Sequence, residues 1–196
     1  MEFTVVFHSR FRVGDAYPRD GVDLTADIVD PLPADHLKGV MRAAATQLVG
    51  WGAVPEDLIK AVFGTVAAPC PWGWSGAHPE APLFWHREQR HRVAINPATH
   101  TALNDMLVAA DEVALMQNDP DGKPIPATAA TAKFSVRPLK PIPAGGLPQQ
   151  QALLRLAARN VHHVGGWRRR GLGWVTITPD QSPTVADDLA TVGGQP

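Results

Sequence analysis

The sequence predicts an α+β domain of the ferredoxin-like type: an antiparallel sheet with helices on one face, plus loop insertions. Three observations predict it. Strand-like alternation opens the chain and recurs near its far end, two stretches carry apolar residues at helical spacing, and the elements follow one another as strand, helix, strands, helix, strand. A chain of 196 residues with 44% hydrophobic residues suits one domain. Its 19 prolines and 17 glycines call for many turns and long connections. The expected domain covers residues 1–178, with insertions near 65–91 and 117–130, and residues 179–196 read as a disordered tail.

Residues 2–13 alternate and are rich in Phe, Val and Thr, which predicts a strand with Val5, Phe7, Phe11 and Val13 inward and His8, Arg10 and Arg12 outward. A loop over 14–33 holds Asp15, Asp20, Asp23, Asp27 and Asp30. Asp35 reads as the N-cap of a helix over 36–49, striped by Leu37, Val40, Met41, Ala44 and Leu48 and stopped by Gly50. Lys38 and Arg42, four residues apart, project from one side of it. Residues 55–63 read as a short second helix closed by Gly64. Residues 65–89 carry Trp72, Trp74 and Trp85 among prolines and read as an irregular excursion, its tryptophans serving the core or a subunit interface. Short strands are expected at 92–96, 112–116 and 131–139, with a loop at 117–128 between the last two. A clear amphipathic helix spans 147–161, and a glycine- and arginine-rich turn leads into a strand at 174–178.

The net charge of −1 hides an asymmetry. Between Gly122 and Pro179 there are nine basic residues and no acid, so the rest of the chain holds nine basic and nineteen acidic ones. One face can then attract a polyanion while the whole stays near neutral. A single cysteine, Cys70, excludes an internal disulfide and a cysteine-cluster metal site. There is no apolar run of about 18 residues and no signal-peptide pattern, so the expectation is a cytoplasmic protein without a membrane partner.

Gly165-Gly166-Trp167-Arg168-Arg169-Arg170-Gly171-Leu172-Gly173 is the strongest local signal. Glycines let a ligand approach the backbone, and arginines grip phosphate as a fork. No Gly-Lys-Ser/Thr follows, so this is not a Walker loop; it leaves a helix and enters a strand, so it is not a dinucleotide fingerprint. The bland alternative is a helix-to-strand turn with solvated arginines. Asp23, Asp27 and Asp30 could hold a divalent cation or supply an acid–base group, but match no calcium-loop spacing. Neither His86 with His91 nor His162 with His163 has chelating spacing. A single-strand binder of the RRM type needs aromatics on central strands, and Phe134 is the only one in its strand.

Four segments then fall into one pattern. Leu32-Pro33-Ala34-Asp35-His36-Leu37-Lys38-Gly39-Val40-Met41-Arg42 starts the first long helix, Val62-Phe63-Gly64 stops the second, Arg92 to Ala102 reads Arg-Val-Ala-Ile-Asn-Pro-Ala-Thr-His-Thr-Ala, and Gly165 to Val175 is the glycine-rich loop with its strand. In order and spacing, over nearly 150 residues, they resemble the RAMP-superfamily CRISPR proteins. His36 stands where that family usually has Ser, and Asn96 and His100 where it has an acid and a glycine. The resemblance implies an RRM-like ferredoxin fold that assembles on CRISPR guide RNA as a backbone or cap subunit. It assigns guide contacts to His36, Lys38 and Arg42 on the helix and to Gly165, Gly166, Arg168, Arg169, Arg170 and Gly171 on the loop.

Gly21-Val22-Asp23, followed by Asp30-Pro31 and the Leu37-Lys38-Gly39 helix, further resembles the loop of type III backbone subunits that carries a catalytic aspartate; Asp23 is the residue matched. The class implies a metal-dependent endoribonuclease acting only within the complex, with Mg2+ or another divalent cation assisting 2′-hydroxyl attack on a target-RNA phosphate distorted by a projecting thumb. The partners implied are guide RNA, target RNA and other effector subunits, copies of this chain included. Two alternatives stay open: a non-cleaving backbone or cap subunit, and a free-standing ferredoxin-like protein binding a small anionic ligand through the arginine loop.

Overall fold

Alternation at the N-terminus produces β1 (Glu2–Phe7), with Phe3, Val5 and Phe7 buried on one face. The computed structural model describes residues 1–14, 17–180 and 183–193. After β1 the chain forms α1 (Ala34–Gly50), α2 (Glu56–Phe63), β2 (Trp72–Trp74), β3 (His78–Pro79), β4 (Phe84–Ile95), β5 (Ala102–Asn118), β6 (Pro124–Pro126), β7 (Thr131–Pro138), α3 (Leu147–Arg159), β8 (Val175–Pro179) and α4 (Val185–Val192). The order β2-β7-β1-β8 is antiparallel throughout. With α1 following β1 and α3 preceding β8, it is the βαββαβ connection of a ferredoxin-like sheet.

Register explains the core. Phe3 lies opposite Phe134, with rings stacked at 5.0 Å, while Val5 lies between Ala132 and Ile177. The face they share meets Leu37, Met41, Ala45 and Leu48 of α1 and Leu153, Leu154 and Ala157 of α3 in one cluster. Each large apolar side chain of this kind contributes about 1.5–3 kcal/mol when fully buried.

Several local expectations need correction. The first strand ends at Phe7; Phe11 instead bridges Val113 of β5, because the chain crosses there to a second sheet. Pro33, not Asp35, is the N-cap of α1, and Asp35 lies in the first turn, where its charge favours the helix dipole. Gly50 is still helical, and the chain turns at Gly52, whose φ is 73°. The excursion at 65–89 is not irregular: β2 and β3 line one edge of β7, and the Trp72 indole donates to Gln150 Oε1 at 2.8 Å. The strands expected at 92–96 and 112–116 are the far ends of a long hairpin, β4 with β5, which forms a second sheet with β6. β6 also replaces part of the loop expected at 117–128.

The expected tail folds as well. A capping box between Thr184 and Asp187 starts α4. Asp188, fully buried, accepts from Arg155 Nε at 2.8 Å and Arg159 Nη1 at 2.7 Å, which fastens α4 to α3. Residues 181–182 and 194–196 of that stretch lie outside the described residues. Among the described residues no helix is long and apolar enough to cross a membrane.

Candidate nucleic-acid interface

The glycine-rich loop is built by tight backbone contact. Gly166 N donates to Arg12 O at 2.8 Å and Gly173 N to Arg10 O at 2.7 Å, so the loop lies against the chain that leaves β1. A Cβ on Gly165 would collide with the Arg12 carbonyl, and one on Gly173 with the Val164 carbonyl; both glycines also have positive φ, 72° and 77°. Only glycine fits such positions. Arg168–Arg170 make a 3-10 turn between Trp167 and Gly171, both left-handed.

The other side of the loop meets α1. Gly165 N donates to His36 Nε2 at 2.8 Å. Burial pushes the His36 imidazole below its ordinary value, so the neutral ring that this bond requires is the favoured form. Between them lies a groove of about 360 Å³, lined by Asp35, His36, Gly39 and Val40 of α1 and by His163 and Arg168. It continues past Gln47 and Asn160. Burial, then Arg168 and His162, lower the pKa of His163, whose ring sits 4.3 Å from the exposed Trp174.

His36, Gly165 and Arg168 thus come together, although His36 and Gly165 are 129 residues apart. Lys38 and Arg42 do not line the groove: at about 100° per residue they lie more than a quarter-turn round α1 from its His36–Val40–Ala43–Gln47 stripe. Lys38 is half-buried, Arg42 exposed, and neither forms an ion pair among the described residues. Arg169 and Gly171 are exposed at the turn, and Arg170 does not line the groove but lies over the Trp167 ring.

Asp23 belongs to another part of the molecule. Its backbone N–H donates to Ala109 O at 2.9 Å and its Oδ2 accepts from Ala109 N at 2.8 Å, which ties its loop to β5. The residue is exposed. Asp27 and Asp30 line a small cavity with Val13, Gly14 and Pro33, away from Asp23's partners, while Asp15 lies outside the described residues. Among the described residues no group of three His, Cys, Asp or Glu is placed to hold a metal ion. A Mg2+ ion shared with an RNA phosphate needs only one or two protein carboxylates, so the single exposed carboxylate of Asp23 fits that use. His86 and His91 lie an odd number of residues apart on β4, hence on opposite faces.

Sequence reasoning missed Arg12 and Arg92 as partners of the loop. Their guanidinium carbons lie 5.5 and 5.0 Å from the centre of the Trp167 ring. The alternation of Arg10 and Arg12 after β1 was the available signal, but nothing local pairs it with β4.

Fold and site together define a ferredoxin-like domain whose first helix and glycine-rich loop bound a groove with an exposed arginine at its edge. No family model matches the chain, and no curated protein does. Among solved structures it is similar to a chain in the cryo-EM structure of the type III-B Cmr-beta bound to cognate target RNA. The two share 12% identity over 91% of this chain, with a TM-score of 0.47, and the match spans 58% of that chain.

Proposed function

We propose that this chain is a guide-RNA-binding subunit of a type III CRISPR effector complex, seating the guide backbone in the groove between α1 and the glycine-rich loop. One observation carries the reading: the His36–Gly165 bond joins two segments singled out independently by their family resemblance, and Arg168 lines the groove between them. Glycines that let a backbone approach closely and an arginine suit a phosphodiester and carry no sequence information, which agrees with recognition left to base pairing. The β4–β5 hairpin, whose tip contains the Arg92 to Ala102 motif, is the projecting element suited to act as the thumb.

The sharper form of the proposal is target-RNA cleavage through Asp23. Its Oδ2 is fixed by Ala109 N–H, so the carboxylate is held in one orientation beside the middle of β5. There it would orient the 2′-hydroxyl for in-line attack on the adjacent phosphorus; the 2′ proton passes to water, the bond to the 5′ oxygen breaks, and that oxygen leaves as a hydroxyl protonated by water, giving a 2′,3′-cyclic phosphate. A divalent cation bound beside it would neutralise phosphate charge. The same hydrogen bond favours the second reading, a non-cleaving subunit, because it gives Asp23 a structural task of its own.

Purification with the co-expressed genomic neighbours, followed by sequencing of retained RNA, tests the main proposal. Uniform repeat-derived RNA is expected. An RNA-free, intact and monodisperse protein would return the small-anion reading. For cleavage, an Asp23→Ala complex is expected to bind target and leave it whole; normal cutting by that complex would remove Asp23 from catalysis.

A further inference from the structure

The loop divides its arginines between two surfaces. Arg168 turns to the α1 groove, whereas Arg170 lies over the Trp167 ring, which Arg92 of β4 also meets. There three guanidinium carbons surround one indole: Arg12 at 5.5 Å, Arg92 at 5.0 Å and Arg170 at 5.0 Å from the Trp167 ring centre. The charge continues next door, where Arg10 and Arg90 share Glu88, at 3.0 and 2.6 Å. Glu88 in turn lies opposite Glu112, the partner of Arg92.

Five arginines therefore face two carboxylates, Glu88 and Glu112. Asp111 is the next nearest acid, but it is fully buried and engaged by Arg19 and the Ala26 N–H. An aromatic face attracts a cation. Three cations around one ring also repel one another, and of the three only Arg92 has a carboxylate partner among the described residues, Glu112. Two of them are held partly out of water as well: the Nε atoms of Arg12 and Arg92 are buried and without a hydrogen-bond partner among the described residues. Desolvation accordingly lowers the affinity of Arg12 for its proton, which Asp111 only partly offsets. What the cluster lacks is an anion with several acceptor oxygens. Guanidinium forks held at fixed angles by a ring match a phosphodiester.

We infer that Arg12, Arg92 and Arg170, braced on Trp167, form a second RNA-phosphate site beside β4 of the hairpin, reached by the same RNA backbone after it crosses the Arg168–Arg170 turn from the α1 groove. This rests on the reading that the chain binds RNA. It adds a track that neither composition nor the glycine-loop motif indicates, since Arg12 and Arg92 lie outside the acid-free stretch.

The test is binding of poly(U) RNA to the purified full chain over a salt series. For a single strand, each phosphate that the protein neutralises adds about 0.7 to the steepness of log K against log salt. Arg170→Gln changes an exposed side chain and should fold normally, which a melting curve verifies. It is expected to weaken binding several-fold and make the slope shallower by about 0.7; Arg12→Gln with Arg170→Gln changes it by about twice that. Binding and slope unchanged in both variants, while Arg168→Gln still weakens binding, would overturn the second site and leave the groove reading intact. A wild-type chain that binds no poly(U) even at low salt would overturn both.

Discussion

Gly165 is held from two directions, its amide by the His36 ring and its Cα against the Arg12 carbonyl. Gly165→Ala adds a methyl where there is no space and a side chain at a φ of 72°. It is expected to destabilise the fold by about 3 kcal/mol, read by urea unfolding. Gly166→Ala is the control: its nearest neighbour, the Arg12 carbonyl, would be 3.9 Å away and no positive φ is needed, so it should stay within about 0.5 kcal/mol of wild type. The other half of the clasp titrates. Because burial lowers the His36 pKa below 6.5, the unfolded chain takes up this proton before the folded one does. The His36 contribution is therefore complete above pH 6.5 and is lost as pH falls below that value towards the folded pKa. Protonated Nε2 cannot accept from Gly165 N–H, so on acidification the Gly165 amide is expected to lose protection, its exchange rising relative to its intrinsic rate. In His36→Gln, whose side-chain oxygen accepts at any pH, exchange corrected for its intrinsic pH dependence should stay level; a wild-type-like acid response in that variant would remove His36 as the sensor.

Between elements, polar fastenings decide what apolar periodicity does not. α4 is held to α3 by the fully buried carboxylate of Asp188 between Arg155 and Arg159. Asp188→Ala leaves two largely buried arginines without their counter-charge and is expected to cost about 3 kcal/mol, seen as a lower melting temperature and early proteolysis after α3. Thr184→Ala, which removes only the cap, should cost about 1 kcal/mol. α1 and α3 were legible because each carries an apolar stripe at helical spacing, and α2 because Pro55 and Gly64 bracket it. The β4–β5 hairpin was not, because its middle reads His-Arg-Glu-Gln-Arg-His-Arg and offers no buried face to the eye. Its strands are joined instead by backbone pairing and by ion pairs such as Arg92 with Glu112. β2 escaped for another reason: three residues after a proline give no period to detect.

Across the molecule, basic side chains from the glycine-rich loop and the β4–β5 hairpin should act on RNA as one salt-sensitive surface. Lys38 and Arg42 lie off the groove, so Lys38→Ala with Arg42→Ala is expected to weaken binding only slightly, through lost long-range attraction, and equally for RNAs of unrelated sequence. Arg168→Ala should weaken it more than Arg42→Ala, because only Arg168 lines the groove. A sequence-dependent loss, measured on a panel of guide RNAs at one salt concentration, would contradict a backbone-binding groove. Short-range pattern was enough to read the order of the main elements, the glycine loop, the charge asymmetry and the ferredoxin-like class, because alternation, helical stripes and glycine positions are imposed by neighbours a few residues apart. It did not carry the partner of His36, the meeting of Arg12 with Arg92 and Arg170, the retreat of Lys38 and Arg42 from the groove, or the docking of α4. Those contacts join segments up to about 160 residues apart, and they exist only after sheet register and core packing have fixed which faces meet.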